Sequence, residues 1–196
     1  MEPGDMGGCF TLRGAAGVEI IQYKSQPGIF EGEVYMSTKI VESAKIHFDL
    51  SFEMLEKMIA QCPGELWDKK LAGFVFWQQI LHALAGINFW MRQAGDEFVE
   101  PFADRRLYPE LENDPEGTIT RDELIEYKDR VKTICSSFFE GKNDEWLGEP
   151  NVICNSINNI DIIFAQIRHI QYHVGHCDSI LRDRNYKAVE WVDYFG

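Results

Sequence analysis

The chain has 196 residues, of which 45% are hydrophobic and 26% are charged, so it is long enough and apolar enough to bury one globular core. Its formal net charge is −13 at pH 7, and its lysines and arginines are interleaved with acidic residues. Such a surface repels polyanions, which argues against nucleic acid as a partner.

The first 35 residues differ from the rest because they are rich in glycine and show neither a helical nor a strand period. The codons for residues 31–36 can form a purine-rich run that resembles a bacterial ribosome-binding site before an ATG. We therefore predict an unstructured or leader-like extension over residues 1–35, with Met36 as the native start and residues 36–196 as the folded domain. An intact mass from the native source that includes residues 1–35 would contradict the leader.

Four later segments repeat hydrophobic residues with the helical period, and no cluster of strands is indicated. Ser37 or Thr38 is the expected N-cap of the first segment. Thr120 and Glu123 form the capping-box pattern that opens the third segment, and Gly141 ends that segment. The predicted helices cover about residues 38–61, 73–93, 120–139 and 156–182.

A long connection rich in proline and acidic residues joins the second and third predicted helices. At about 25 residues it exceeds an ordinary loop, so we expect it to cross the bundle or to pack near its mouth. The sequence thus predicts an all-α fold, a four-helix bundle with a long crossover between helices two and three. The aromatic tail, residues 189–195, is expected to pack back on the bundle.

Residues 71–91 contain no charged side chain and are long enough to be tested as a membrane span. However, Gln78, Gln79, His82 and Asn88 would each be costly in hydrocarbon. A helix buried among other helices, with a polar site at its middle, explains this composition better, so we expect no membrane association.

The cysteines and the N-terminus indicate a cytoplasmic protein. The five cysteines include no CxxC pair, and no basic segment followed by an apolar one marks a secretory signal. Reduced thiols in the cytoplasm are the simplest explanation.

Three of the five histidines fall within eight residues of the fourth predicted helix: His169, His173 and His176. On a helix they lie within about 60° of one another, at the edge of the apolar face. His169 and His173, four residues apart, can converge on one cation. A pair of neutral imidazoles bonded to the backbone or to each other explains the spacing equally well.

His82 adds a candidate ligand on a second helix. It lies at the middle of the uncharged segment, where an unpaired polar group costs about 1–3 kcal/mol. Gly86, one turn later, leaves space beside its ring. Three imidazoles with an open fourth position form a catalytic type of metal site. Because these ligands are neutral, water or thiol bound there would lose its proton readily.

Two metalloprotein motifs are missing from the sequence. The segment between His169 and His173 lacks the glutamate that serves as general base in HExxH zinc proteases. No Glu-x-x-His occurs either, which argues against a ferritin-type di-iron centre.

Two sequence motifs, one in the second predicted helix and one in the fourth, follow in a fixed order. They are Leu81-His82-Ala83-Leu84 with Phe89-Trp90, and His169-Ile170-Gln171-Tyr172-His173-Val174-Gly175-His176. Over residues 37–182 the chain resembles the DinB-like (DinB/YfiT) superfamily of bacterial four-helix-bundle proteins. The resemblance implies that His82, His169 and His173 bind a divalent metal, zinc or nickel. It also implies homodimers and, as in some members, a low-molecular-weight thiol cosubstrate such as bacillithiol or mycothiol.

The sequence departs from this family at one position. The family commonly has glutamine where this chain has His176. His176 either replaces that glutamine as a hydrogen-bonding residue near the ligands or acts as an exchangeable fourth ligand, which would close the open position.

These observations lead to two functional hypotheses. The first is a metal-dependent thiol S-transferase or hydrolase that acts on a small molecule, with no catalytic residue assigned. Trp77, Phe89, Trp90 and Tyr172 could line its pocket, although such aromatics are more often core residues. The second is a non-catalytic metal-binding bundle that serves as a dimeric stress-response or interaction module. A third interpretation is a bundle that binds no metal and simply buries its histidines.

Overall fold

The computed structural model describes residues 37–194. The predicted N-terminal extension, the leader and the Met36 start lie outside the described residues. The helices are α1 (Lys39–Gln61), α2 (Gly64–Trp67), α3 (Phe76–Trp90), α4 (Arg121–Phe139), α5 (Asp144–Leu147) and α6 (Asn159–Asp183), with a 3₁₀ turn at Ala103–Arg105. Two short strands, β1 (Lys70–Leu71) and β2 (Phe74–Val75), form an antiparallel hairpin.

The four long helices α1, α3, α4 and α6 pack around one apolar core. Helices α1 and α3 each contact both α4 and α6. The core includes Phe48, Leu81, Val131 and Ile170, one from each helix, and each is at most 1% exposed. Burial of these faces stabilises the helices more than local propensity does. The predicted all-α class is confirmed for the described residues, in which the hairpin forms the one sheet and Pro150 and Asn158 form an isolated bridge.

The second long helix begins later than predicted, at Phe76 instead of residue 73. Residues 70–75 form the hairpin, in which Lys70 pairs with Val75 and Leu71 with Phe74. Ala72 and Gly73 have φ of 50° and 104°, the left-handed conformations of a two-residue hairpin turn. The predicted helix, which began at about residue 73, included three of the hairpin residues. No helix of residues 37–194 is long and apolar enough to cross a membrane.

The long connection between α3 and α4 is anchored on α3 by a buried glutamine. Gln78 Nε2 donates to the carbonyl oxygens of Leu107, Tyr108 and Asn113 at 3.3, 2.9 and 2.9 Å. Leu107 is completely buried in the core. The polar side chain in the uncharged helix therefore holds the crossover against α3.

The C-terminal tail packs back as predicted, as far as it is described. The Val189 N–H donates to Asp178 Oδ1 at 2.8 Å, and the Val189 side chain is buried. The ring of Tyr194 lies 5.4 Å from that of His47 on α1, centroid to centroid. Trp191, by contrast, is 73% exposed.

The N-terminus of α4 has the predicted capping box. Thr120 Oγ1 accepts from the Glu123 N–H at 3.2 Å, and Glu123 Oε2 accepts from the Thr120 N–H at 2.9 Å. Glu123 also pairs with Arg105 of the crossover at 2.5 Å. The hydrogen bonds from Arg105 and Thr120 lower the pKa of Glu123 to about 2.

The N-terminus of α1 is capped from a distant part of the chain. Thr38 occupies the N-cap position, as predicted, but its hydroxyl donates to Glu42 instead of accepting from the helix. The N–H groups of Ile40 and Val41 donate instead to Asp144 Oδ1, at 2.8 and 2.9 Å. The first residue of α5 therefore provides the hydrogen-bond acceptor for the free N–H groups at the start of α1.

Replacing Asp144 with alanine should lower the free energy of unfolding, because two helix N–H groups lose their acceptor. Urea denaturation followed by circular dichroism measures this loss. Glu145→Ala is the matched control, since Glu145 is the exposed neighbour on the same short helix. Equal effects of the two substitutions would contradict the capping role of Asp144.

Candidate metal centre

The structure brings His82 of α3 together with His169 and His173 of α6. The ring centroids are 4.8 Å apart for His82 and His169, 4.6 Å for His82 and His173, and 4.7 Å for the two α6 histidines. One ring nitrogen from each residue lies within 4.8 Å of the other two. We call these three residues the histidine triad.

Gly86 lets α3 and α6 approach closely beside the triad. A Cβ at this position would lie 2.7 Å from His169 Cε1 and 3.1 Å from His169 Nδ1, too close for the ring to stay in place. The sequence indicated that Gly86 leaves space beside His82, one turn before it. In the structure that space is taken by the ring of His169.

Hydrogen bonds orient two of the three rings. His82 Nδ1 lies 2.6 Å from the carbonyl oxygen of Pro109 in the crossover. His173 Nδ1 lies 2.6 Å from Gln79 Oε1, one residue beyond the glutamine that anchors the crossover. Because a carbonyl oxygen only accepts, Nδ1 carries the hydrogen in both rings, and Nε2 keeps a free lone pair.

All three rings are neutral at pH 7. Burial lowers the pKa of His82 below its usual range. Burial and the neighbouring His82 lower the pKa of His169 to about 4. Burial, followed by the charged forms of the other nearby histidines, lowers the pKa of His173 to about 3. Neutral imidazole is the form that binds a metal ion, so the triad can hold one without first releasing protons.

The Gln79–His173 bond should matter for metal affinity. Replacing Gln79 with leucine, a side chain of similar volume, leaves His173 Nδ1 without its acceptor. We expect metal affinity to fall by about 10–100-fold, as is typical when a residue that orients a metal-binding histidine is lost. Competition with a chromophoric chelator measures the change.

Gln171→Leu is the control for that experiment. Gln171 is also partly buried, but its amide donates to Ser51 and not to a histidine. Loss of metal affinity in the Gln171 variant alone, or in neither variant, would contradict the orienting role of Gln79.

His176 does not join the triad. Its Nε2 is buried and has no hydrogen-bond partner among residues 37–194, and its ring centroid lies 6.3 Å from that of Phe74 in the hairpin. It is close enough for its charged form to lower the pKa of His173. Among the described residues the possible ligand group is therefore the triad, and His176 lies beside it. The prediction that His176 replaces the family's glutamine as a hydrogen-bonding residue gains no support from its Nε2 atom.

A cavity of about 230 Å³ opens beside His82. Phe89 and Trp90 line it, as the sequence suggested. Trp77 does not, since it is 1% exposed and donates to Asp68, and Tyr172 points outward with 70% of its surface exposed. The remaining lining residues are Ala85, Gly86, Phe98, Glu100, Pro109 and Glu110.

The sequence analysis did not predict four of these lining residues, because they lie on the crossover. Phe98, Glu100, Pro109 and Glu110 show no periodic pattern that would place them near a histidine. The only available signal was the unusual length of the connection. Its contacts with α3 decide which of its residues face the cavity.

Cys177, one turn after His173, is a core residue and not a nucleophile. It is 1% exposed, and burial raises the pKa of its thiol far above the usual range. The thiol therefore stays protonated and unreactive.

No protein-family model matches this chain, and no curated protein is significantly similar to it in sequence. The fold and the site by themselves describe a helical protein with three converging, neutral imidazoles that could hold a metal ion. An open cavity adjoins one of them.

Proposed function

We propose that the protein is a DinB-like four-helix bundle in which the histidine triad binds one divalent metal ion, zinc or nickel. The observation that carries the proposal is the convergence of three neutral ring nitrogens within 4.8 Å between α3 and α6. Three nitrogen donors suit either ion. The four long helices and the long connection after α3 are also those of the family that the sequence resembles.

The donor set fits such an ion. In a tetrahedral site with bonds of about 2.1 Å, the ligand atoms lie about 3.4 Å apart. The three ring nitrogens, which lie within 4.8 Å of one another, would have to move closer to reach that spacing. The hydrogens on Nδ1 of His82 and His173 already point away, toward Pro109 and Gln79.

The proposed activity is that of a thiol S-transferase or hydrolase. A metal held by three histidines supplies an electrophilic centre with a position open to a thiol or water. The Pro109 carbonyl and Gln79 keep the Nδ1 protons of two ligands in place. Phe89, Trp90 and Phe98 line the neighbouring cavity and would pack against the apolar part of a small substrate.

A non-catalytic metal-binding module is the second candidate. One observation favours it: the cavity lining contains no serine, threonine, cysteine or lysine among the described residues. Its titratable groups there are His82, Glu100 and Glu110. Chemistry at this site would thus depend on the metal and on a second substrate for its nucleophile.

Metal content measured together with activity tests both candidates. We expect about one zinc or nickel ion per chain after purification without chelators. Transfer of a low-molecular-weight thiol to 1-chloro-2,4-dinitrobenzene, or ester hydrolysis, should disappear on chelation and return with metal. Retained metal without turnover would favour the module, and absence of bound metal in the presence of excess zinc would contradict both.

The homodimer is part of the proposal. Sedimentation equilibrium should give twice the chain mass of 22.6 kDa. A mass of one chain at micromolar concentration would contradict it.

A further inference from the structure

One ring of the triad lacks the hydrogen bond that orients the other two. His82 Nδ1 and His173 Nδ1 each lie 2.6 Å from a carbonyl oxygen, that of Pro109 and that of the Gln79 side chain. Neither ring nitrogen of His169 forms a hydrogen bond with any of residues 37–194. Nothing in that part of the chain therefore fixes which of its two nitrogens carries the hydrogen.

The turn of α6 before His169 carries a buried acceptor without a partner. Gln166 is 4% exposed, and its side-chain oxygen, Oε1, has no hydrogen-bond partner among the described residues. Buried polar groups in proteins nearly always have a partner, so this oxygen indicates that a donor is missing. One acceptor of Gln166 and one donor of His169 are thus left unused on the same helix.

The unpaired oxygen and the His169 ring meet beside Gly86. From the point where a Cβ of Gly86 would stand, Gln166 Oε1 is 3.9 Å away and His169 Nδ1 is 3.1 Å away. Residues three apart on a helix lie on one face, and a helical side chain leans over the preceding turn. The two side chains therefore share one small space between α3 and α6.

The two atoms do not bond in the present arrangement, so one of the two side chains must turn for the bond to form. The terminal torsion of a glutamine has a broad range of allowed angles, which makes the amide the easier group to move. A histidine that binds a metal through Nε2 keeps its hydrogen on Nδ1 and almost always donates it to a carboxylate or carbonyl oxygen. Gln166 offers such an oxygen to His169.

We propose that Gln166 is the positioning residue of His169: its Oε1 accepts the Nδ1–H of that ring and leaves Nε2 for the metal ion. Gln79 has the same relation to His173. The inference rests on the proposed function, because the triad is taken to bind a metal, and it deepens it by assigning an orienting partner to the third ligand. The hydrogen bond itself joins two side chains of the chain and is present with or without the ion.

NMR of the chain with isotope-labelled histidine tests the bond directly, and zinc is a suitable ion because it is diamagnetic. In the zinc-loaded chain we expect an Nδ1–H signal from each triad histidine, protected from exchange with water. In Gln166→Leu, which has a side chain of similar volume, the His169 signal should exchange with water and the other two should remain. A protected His169 signal in this variant, or a His169 hydrogen on Nε2 in the unchanged chain, would overturn the inference.

Zinc affinity, measured by chelator competition, gives a second readout. Gln166→Leu should weaken binding by about 10–100-fold, the usual loss for a partner of this kind. Gln166→Glu keeps an acceptor at the same place, so it should bind zinc at least as tightly as the unchanged chain. Gln171→Leu, the control on the same helix, should change neither readout, since the Gln171 amide donates to Ser51. Unchanged affinity in Gln166→Leu, or an equal loss in Gln166→Glu, would overturn the role of Gln166.

The two proposals fail in different ways. A chain that binds no zinc, but whose His169 ring holds its hydrogen on Nδ1 only while Gln166 is present, would overturn the proposed function alone. A chain that binds zinc through the triad, with a His169 ring that responds to neither substitution of Gln166, would overturn the positioning role alone. The NMR signal of the unchanged chain needs no substitution, so it decides the question even if a variant fails to fold.

Discussion

Replacing His82 with alanine is expected to abolish stoichiometric metal binding while leaving the helical fold intact. The binding free energy of a four-ligand protein zinc site is about 10–16 kcal/mol, so one ligand accounts for roughly 3–4 kcal/mol. Affinity should therefore fall by about two to three orders of magnitude, at about 1.4 kcal/mol for each factor of ten. Alanine suits the middle of α3, and helix content by circular dichroism should not change.

Elemental analysis after chelator-free purification, followed by chelator competition, measures the effect. His47→Ala is the control, because His47 is exposed on α1 and lies against Tyr194, away from the triad. Retention of about one zinc or nickel per chain by the His82 variant would show that the triad is not the binding site. Loss of metal in both variants would indicate nonspecific binding by surface histidines.

Acidification of the metal-stripped protein from pH 7 to pH 5 should lower its free energy of unfolding by about 2–4 kcal/mol. In the folded chain, the pKa values of His169 and His173 are about 4 and about 3, whereas free histidine has a value of 6.5. The unfolded chain therefore takes up protons first as the pH falls. The stabilisation is fully present above about pH 6.5 and is lost as the pH falls toward 4.

Urea titrations at several pH values give this slope. The window from pH 6.5 to 5 is the informative one, because most carboxylates are still ionised there. His173→Leu removes one of the titrating groups from the core, so its unfolding free energy should vary less across the window. A slope as steep as that of the unchanged chain would mean that His173 does not titrate as its burial implies.

Local signals predicted most of the helical architecture. The capping box at Thr120, the stop after Gln61 and the helical periods lie within one or two turns of chain, so short windows reveal them. The fourth predicted helix began at residue 156, whereas α6 begins at Asn159 with Asn158 as its N-cap. A capping box fixes this start, since the Asn158 N–H donates to Asp161 Oδ2 at 3.0 Å.

Distant partners were invisible to the same reasoning. Asp144 caps a helix that begins more than 100 residues earlier, and Gln78 and Gln79 find their acceptor and donor on the crossover and on α6. The sequence analysis used these two glutamines only as evidence against a membrane-spanning helix. Their use depends on which segments pack against α3.

The His169–His173 pair follows from the sequence alone, because residues four apart on a helix lie on one face. That His82 joins them follows from tertiary packing. The close approach of α3 and α6 at Gly86 brings the rings together, and the crossover places Pro109 against His82. Periodicity determines which face a residue occupies, but only the packing of helices determines what that face meets. For this reason the sequence could name the three histidines, whereas the cavity and the position of His176 emerged from the structure.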